Sequence, residues 1–406
     1  MKNIIRKILT AILVMSVLLG GPLVGQSSDV KMSNKSLPLL FEANAATSFD
    51  EEGSAKIQEA QVSTERIQKI IPSEVFGGMY FDENQNLVVN VTDLTANSVL
   101  SLSKESTSET VVFKQVEYSL EFLENVRTKL TPFMAKYNIA TIDANEVTNK
   151  IDIELYEENK GLEDLLSKYI KLEDVSISVL SDDVEICFSH EKLDETISGI
   201  QVVPQTTEEG LNSSSATTTL YPGWQIIKGG YGYTVGPRCS SSQFKTAGHA
   251  ALDSTSTSFY ITVSGINRTV GTMSSYSCGF GGDHMTVNIG GLWYSLPSTN
   301  RFGVGTGTYT ITSNCVVGTA VEMHGAKSGI SSGKITATHQ SVYVADYGIT
   351  IYNLVKASYT CQKGDSGAGV FSNNAINVTG YCYGTQSIGV FQNGSSTSSY
   401  SYFSYI

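Results

Sequence analysis

Cys361-Gln362-Lys363-Gly364-Asp365-Ser366-Gly367-Ala368-Gly369 is the stretch on which the fold of this 406-residue chain turns. Glycines on either side allow a tight backbone that presents the Ser366 hydroxyl. The peptide N–H groups of Gly364 and Ser366 can then point at a developing oxyanion. A serine hydroxyl is a weak nucleophile at neutral pH. It needs an imidazole to take its proton and a carboxylate to orient that imidazole. Chain order restricts the partners: no histidine follows Ser366, which excludes the order Ser, Asp, His. Ala368 stands where the G-x-S-x-G elbow needs glycine. The order His, Asp, Ser remains open.

Upstream, His249 sits in Thr246-Ala247-Gly248-His249-Ala250, at the end of an expected strand. Asp283 sits in Gly281-Gly282-Asp283-His284-Met285-Thr286-Val287. His284 adjoins Asp283 but would point to the opposite strand face, which suits a packing or surface role. His324 and His339 read as surface residues. The surrounding chain, from Tyr221 on, is a series of short β-rich runs divided by Gly, Ser and Asn, such as Ser258–Val263, Thr308–Thr312, Gln340–Ala345 and Gly348–Tyr352. Such a pattern reads as a sandwich or barrel.

Composition divides the chain at the same place. Residues 216–406 hold nine Lys and Arg against five acids, a net of +4, which leaves −16 of the overall −12 for residues 1–215. Of 37 glycines only nine precede residue 216. The overall acidity excludes a general nucleic-acid binder, because no dense basic face can neutralise phosphates. The basic half has no HExxH and no Cys-x-x-Cys, so a zinc hydrolase is unsupported. One Glu and four Asp single out no glycosidase pair.

The acidic part, from Ser48 to Val203, is poor in glycine and rich in helix formers. Tyr118–Tyr137 places Leu120, Phe122, Leu123, Val126, Leu130, Phe133 and Met134 at helical spacing, and Leu162–Ile170 predicts a second helix. Asn86–Val91, Ile151–Leu155, Val175–Leu180 and Val184–Phe188 read as strands. Cys187 and His190 lie close together, but one Cys and one His make a poor metal site, and packing is the expected role. Gln205–Thr219 is polar, without apolar period, and reads as an exposed linker open to proteolysis. At the start, Lys2, Arg6 and Lys7 precede an apolar run from Ile8 to about Leu19, the pattern of a secretory signal. The run is too short to span a bilayer comfortably. Cleavage after Gly25 or Ala45 is open.

Three blocks, Thr246-Ala247-Gly248-His249, Gly282-Asp283 with Val287, and Gly364-Asp365-Ser366-Gly367, resemble in this order the bacterial chymotrypsin-fold serine proteases of the alpha-lytic protease and streptogrisin group. The span from Val317 to Val321 through Gly325, Ser328-Gly329 and Gly333–Thr336 is similar to the start of that group's second barrel. The likeness runs from about Ile227 to Val390. It implies an all-β C-terminal catalytic domain of two six-stranded antiparallel barrels, preceded by an α+β pro-region. Phe76–Tyr80 through Val88–Thr92 resembles such a pro-region.

Carried over by position, Ser366 is the expected nucleophile, His249 the general base and acid, and Asp283 the orienting carboxylate. Gly364 and Ser366 would form the oxyanion hole, and Asp365 a buried structural carboxylate beside it. Thr379–Gly384 resembles the strand that pairs with substrate backbone. Together with Tyr359-Thr360-Cys361 it gives the expected substrate-binding set Tyr359, Thr360, Tyr381, Cys382, Tyr383 and Gly384. Neither segment holds an acid, which disfavours an Arg or Lys preference. An apolar or aromatic side chain before the scissile bond is expected instead.

The resulting layout is a signal peptide over 1–45, an acidic pro-region over 46–204, a linker with the processing site over 205–220, and a protease domain over 221–406. The expected product is a secreted, monomeric endopeptidase made as a zymogen, acting on protein or peptide substrates. It needs no cofactor or metal, binds no nucleic acid, and leaves the membrane once the signal is removed. Its pro-region would act in cis as folding chaperone and inhibitor. A catalytically silent homologue that binds peptides or a surface partner is the second reading. The chain departs from the group at Ala250, where a cysteine is usual, so Cys239 loses its partner and Cys278 becomes a substitute. Cys361 with Cys382 is the other candidate bridge, and Cys315 is left over. Ser395–Ile406 does not resemble the group's ending.

Overall fold

In the acidic half, aliphatic residues at helical spacing make helix α1 (Leu120–Leu130), which buries Leu120, Leu123, Val126 and Leu130 on one face. The Ser119 hydroxyl accepts the Phe122 N–H at 3.2 Å and caps its start. The computed structural model describes residues 63–105, 111–193, 217–263, 265–290, 293–303 and 305–406. The expected signal peptide and most of the expected linker lie outside the described residues.

Strands β1 (Phe76–Phe81), β2 (Leu87–Val91) and β3 (Val111–Gln115) form one small sheet. Strands β4 (Ile139–Asn145), β5 (Lys150–Leu155) and β6 (Val175–Val179) form a second run, packed under α1. Two short strands follow, β7 (Val184–Phe188) and β8 (Glu191–Lys192). These match the expected strands closely. The second helix is shorter than expected, Leu162–Leu166.

The glycine-rich half begins with β9 (Thr218–Thr219). It continues through β10 (Gln225–Lys228), β11 (Tyr231–Thr234), β12 (Arg238–Ser240), β13 (Gln243–Thr246), β14 (Ser258–Val263), β15 (Ile266–Gly279), β16 (Gly282–Ile289) and β17 (Tyr294–Ser295). The first barrel runs β12-β13-β16-β15-β14-β10-β11. It closes where Gly236 N–H donates to the Lys245 carbonyl at 2.9 Å. Its core holds Trp224, Ile226, Tyr233, Phe244, Phe259, Val270 and Met285. Leu220 is buried in the same core, so the first barrel begins at or before this residue.

The second barrel follows β18 (Tyr309–Ile311). Its strands are β19 (Ala320–Gly325), β20 (Gly329–Val344), β21 (Ile349–Ala357), β22 (Gly369–Ser372), β23 (Gly380–Gln392) and β24 (Ser398–Tyr405). They pair in the ring β19-β22-β23-β24-β21-β20, which β19 and β20 close. Six strands and no free seam make the chymotrypsin-like second barrel, and Ser395–Ile406 supplies its strand β24.

The acidic half adds strands to both barrels. β4 pairs antiparallel with β20 (Asp143 opposite Gln340), β7 with β23, and β8 with β11. Arg127, buried in α1, donates to the Ser341 hydroxyl at 2.8 Å and to the Asn353 side chain at 3.0 Å. His339, expected at the surface, sits at a positive-φ position of β20 and meets Glu124 of α1 at 2.6 Å. His324, also expected at the surface, is buried against Phe302 and Phe371, with Glu322 at 2.9 Å. Partners far away in sequence account for both differences.

Candidate active site

His249 stands at the end of β13, where Thr246 carries the chain into a short helix, Ala250–Asp253. The buried Lys228 ammonium ties that helix down by donating to the Ala250 and Ser254 carbonyls at 2.6 and 2.8 Å. Asp283 opens β16, next to β13 in the sheet. Its carboxylate accepts the His249 backbone N–H at 2.6 Å and meets Nδ1 of the ring at 2.7 Å. The Ser387 hydroxyl donates to the same carboxylate at 2.5 Å. Burial opposes the charge on Asp283, but the imidazole and these donors together hold its carboxyl below the usual range. The His249 ring is thereby fixed, with Nε2 left without a hydrogen-bond partner.

The Ser366 loop lies at the barrel junction. Gly364 has φ +111° and Gly367 φ +89°. A Cβ on Gly367 would lie 2.0 Å from the Thr246 hydroxyl and 2.7 Å from the Thr234 carbonyl. Thr234 pins the loop in turn: its N–H donates to the Ser366 carbonyl at 2.8 Å and its hydroxyl to the Gly364 carbonyl at 2.9 Å. Asp365 accepts the N–H groups of Lys327, Ser328 and Gln362 at 2.8, 3.1 and 2.7 Å, and burial raises its pKa. Gly367→Ala is expected to cost about 1–3 kcal/mol from backbone strain alone. A thermal midpoint unchanged from wild type would contradict this.

What fills the site is the chain's own segment Ile186–Lys192, whose role was not legible in the sequence. The Ser189 carbonyl accepts both the Gly364 N–H, at 2.6 Å, and the Ser366 N–H, at 3.1 Å. The Ser189 N–H donates to the Ser387 carbonyl at 3.1 Å. The Ser189 and Ser366 hydroxyls are 3.2 Å apart. Phe188 stacks on the His249 ring at 4.0 Å between centroids. His190 lies 5.3 Å from that ring and packs on Tyr231; burial and then the nearby His249 push its pKa down to about 4, so it is neutral at pH 7. His249, Asp283 and Ser366 are all fully buried beneath this segment. Two peptide N–H groups around one carbonyl oxygen, beside a serine hydroxyl and a carboxylate-oriented imidazole, form an arrangement suited to acyl transfer.

The expected substrate-binding residues fall differently. Tyr381, Cys382, Tyr383 and Gly384 lie on β23, but β7 pairs with Ile388–Gln392 farther along that strand. Cys382 and Tyr383 are buried in the barrel's own packing. Beside the Ser189 side chain, Gln386 Nε2 lies 3.3 Å from its hydroxyl and 3.3 Å from Cys361 Sγ. The Tyr359 hydroxyl donates to Gln386 Oε1 at 2.6 Å. Thr360 N–H donates to the Ser331 hydroxyl instead, at 3.1 Å.

All six cysteines are free thiols, so the expected bridges are not formed. Cys382 and Tyr383 alternate across β23, and it is Tyr383 that shares a cluster with Cys361. Cys239 and Cys278 lie on β12 and β15, three positions apart in the sheet, about 14 Å at the usual strand spacing. That exceeds disulfide reach. Among the described residues no group of three or more His, Cys, Asp or Glu could hold a metal ion, and no helix is long and apolar enough to cross a membrane.

Residues 40–116 match the Pro-like N-terminal domain family. The chain resembles bacterial chymotrypsin-fold serine proteases that carry a pro-region. Similar solved structures include a glutamic-acid-specific serine protease described as using a histidine triad in substrate binding, at 22% identity and TM-score 0.37, covering 46% of this chain and 93% of that one. Cellulomonas bogoriensis chymotrypsin gives 24% and 0.35 over 46% and 91%. Thermobifida fusca protease A gives 25% and 0.36 over 46% and 92%. No curated protein matches the chain. The matched residues include β1–β3, and α1, the β4–β6 run and the strands lying across the site follow them in the chain.

Proposed function

We propose that the chain is a secreted serine endopeptidase zymogen, in which Ser366 attacks a peptide carbonyl, His249 carries the proton and Asp283 orients His249. The observation that carries this reading is the Ser189 carbonyl between the N–H groups of Gly364 and Ser366. A peptide carbonyl seated there is polarised by the donors that would stabilise its tetrahedral intermediate. The pro-region then blocks the site by occupying it. The −16 carried by residues 1–215, signal included, against +4 on residues 216–406 favours that docking at low salt. A fluorophosphonate probe tests the assignment: the mature wild type should label and Ser366→Ala should not. An unlabelled mature wild type would leave only a silent, peptide-binding homologue.

Gln386, held by Tyr359 and against Cys361, fills the space beside the residue whose carbonyl is bound. We therefore read the preferred side chain before the scissile bond as small, in place of the apolar or aromatic one expected from the sequence. Peptides with Ser or Ala there should exceed those with Phe by about tenfold or more in kcat/KM. Equal or better cleavage of the Phe peptide would refute this.

A further inference from the structure

Resting on the endopeptidase reading, we infer that Ser189–His190 is itself a scissile bond, cut by Ser366 of the same chain before any cleavage in the 205–220 linker. A segment that merely plugs a site can lie on one side of the reacting atoms. This one is gripped on both. Before the bond, β7 pairs with β23 with Cys187 opposite Gly389 and Phe188 opposite Ile388, and the Ser189 N–H reaches the Ser387 carbonyl. After it, β8 pairs with β11 with Glu191 opposite Gly232 and Lys192 opposite Tyr231. The Leu193 N–H donates to the Gly230 carbonyl at 2.9 Å. Ion pairs fix the two flanks: Glu185 with Lys363 at 3.5 Å, and Glu191 with Lys327 at 2.7 Å. Both backbone directions are thus held in extended form, with the Ser189 carbonyl in the oxyanion position. The side chain at that position is small, as the Gln386-filled space requires.

The step balances as a hydrolysis. Ser366 Oγ bonds to the Ser189 carbonyl carbon and passes its proton to His249 Nε2. The C–N bond to His190 breaks, and the His190 nitrogen takes that proton as it leaves as an amine. Water then cleaves the Ser189–Ser366 ester, leaving a Ser189 carboxylate and a new N-terminus at His190. Residues 190–193 remain paired with the first barrel after the cut, so a second cleavage in the linker is needed to free them.

The test is intact mass and N-terminal sequencing of the full chain during maturation, alongside fluorophosphonate labelling of the final enzyme. Wild type should yield a chain beginning His190-Glu191-Lys192, and Ser366→Ala should keep the bond whole. Ser189→Tyr should slow its appearance about tenfold or more, while Ser189→Ala cuts at close to the wild-type rate. If the mature enzyme labels yet the bond stays intact, the inference fails and the enzyme reading stands. If nothing labels, the enzyme reading fails and the inference falls with it. Cleavage of Ser189→Tyr as fast as wild type, in a chain that folds, would also overturn it.

Discussion

Asp283→Asn is expected to lower kcat about 10,000-fold while leaving the barrels folded. The buried carboxylate accepts from His249 Nδ1, the His249 backbone N–H and the Ser387 hydroxyl. With Asp283 ionised, Nδ1 must carry the ring proton, and Nε2 is left as the acceptor that Ser366 needs. An amide presents a donor in place of one of those oxygens, which favours the opposite tautomer. Nε2 then holds a proton and cannot act as base. Hydrolysis of a peptide substrate by the released enzyme, with a matched thermal melt, measures this. Near wild-type turnover in a folded variant would show that Asp283 has no such role.

The second large effect concerns pH. Glu146 is buried between the pro-like region and β20, where it accepts the Thr338 hydroxyl at 2.7 Å. Burial raises its pKa from 4.5 to about 7. The docked state therefore binds this proton more tightly than the unfolded chain, and its stability falls as pH rises from about 4.5 through 7. A shift of that size corresponds to something on the order of 3 kcal/mol. Asp143, opposite β20, is raised by burial in the same sense. Burial works against a charged His339, but its hydrogen bond to Glu124 prevails and its pKa is raised. A raised histidine stabilises below its unfolded pKa and loses that contribution as pH climbs through the folded value. All three act in one direction. In the uncleaved Ser366→Ala chain, the thermal midpoint should drop between pH 5 and pH 8, and Glu146→Gln should flatten the drop. A midpoint with the same pH slope in both chains would refute the assignment to Glu146.

Much of this molecule was legible beforehand because its signals are local. Ser258–Val263 and Val184–Phe188 are short β-rich runs that break where their strands do, and the glycines about Ser366 reflect two positive-φ positions that a side chain would obstruct. His249 and Asp283 were readable as a pair because each sits in a short block at the edge of a strand. The illegible parts depend on distant partners. Nothing near Ser189 announces that its carbonyl meets the N–H groups of residues 364 and 366. Its neighbours Cys187 and His190 look like ordinary packing residues when read alone. A strand near the end of the acidic half, upstream of a polar linker and a basic half, was the available clue. The position of pairing along β23 and the state of the thiols likewise follow from which face each residue takes in the closed barrel.

The antiparallel match of β4 with β20 bears on the maturation proposed above. Gln340, Ser341 and Val342 face Asp143, Ile142 and Thr141 on one side, while β21 lies on the other. On the maturation proposed above, departure of β4 would bare a short row of backbone donors and acceptors on an otherwise closed barrel. Such a row invites any extended chain of matching length, including the same row on another molecule. In the uncut chain β4 covers this row.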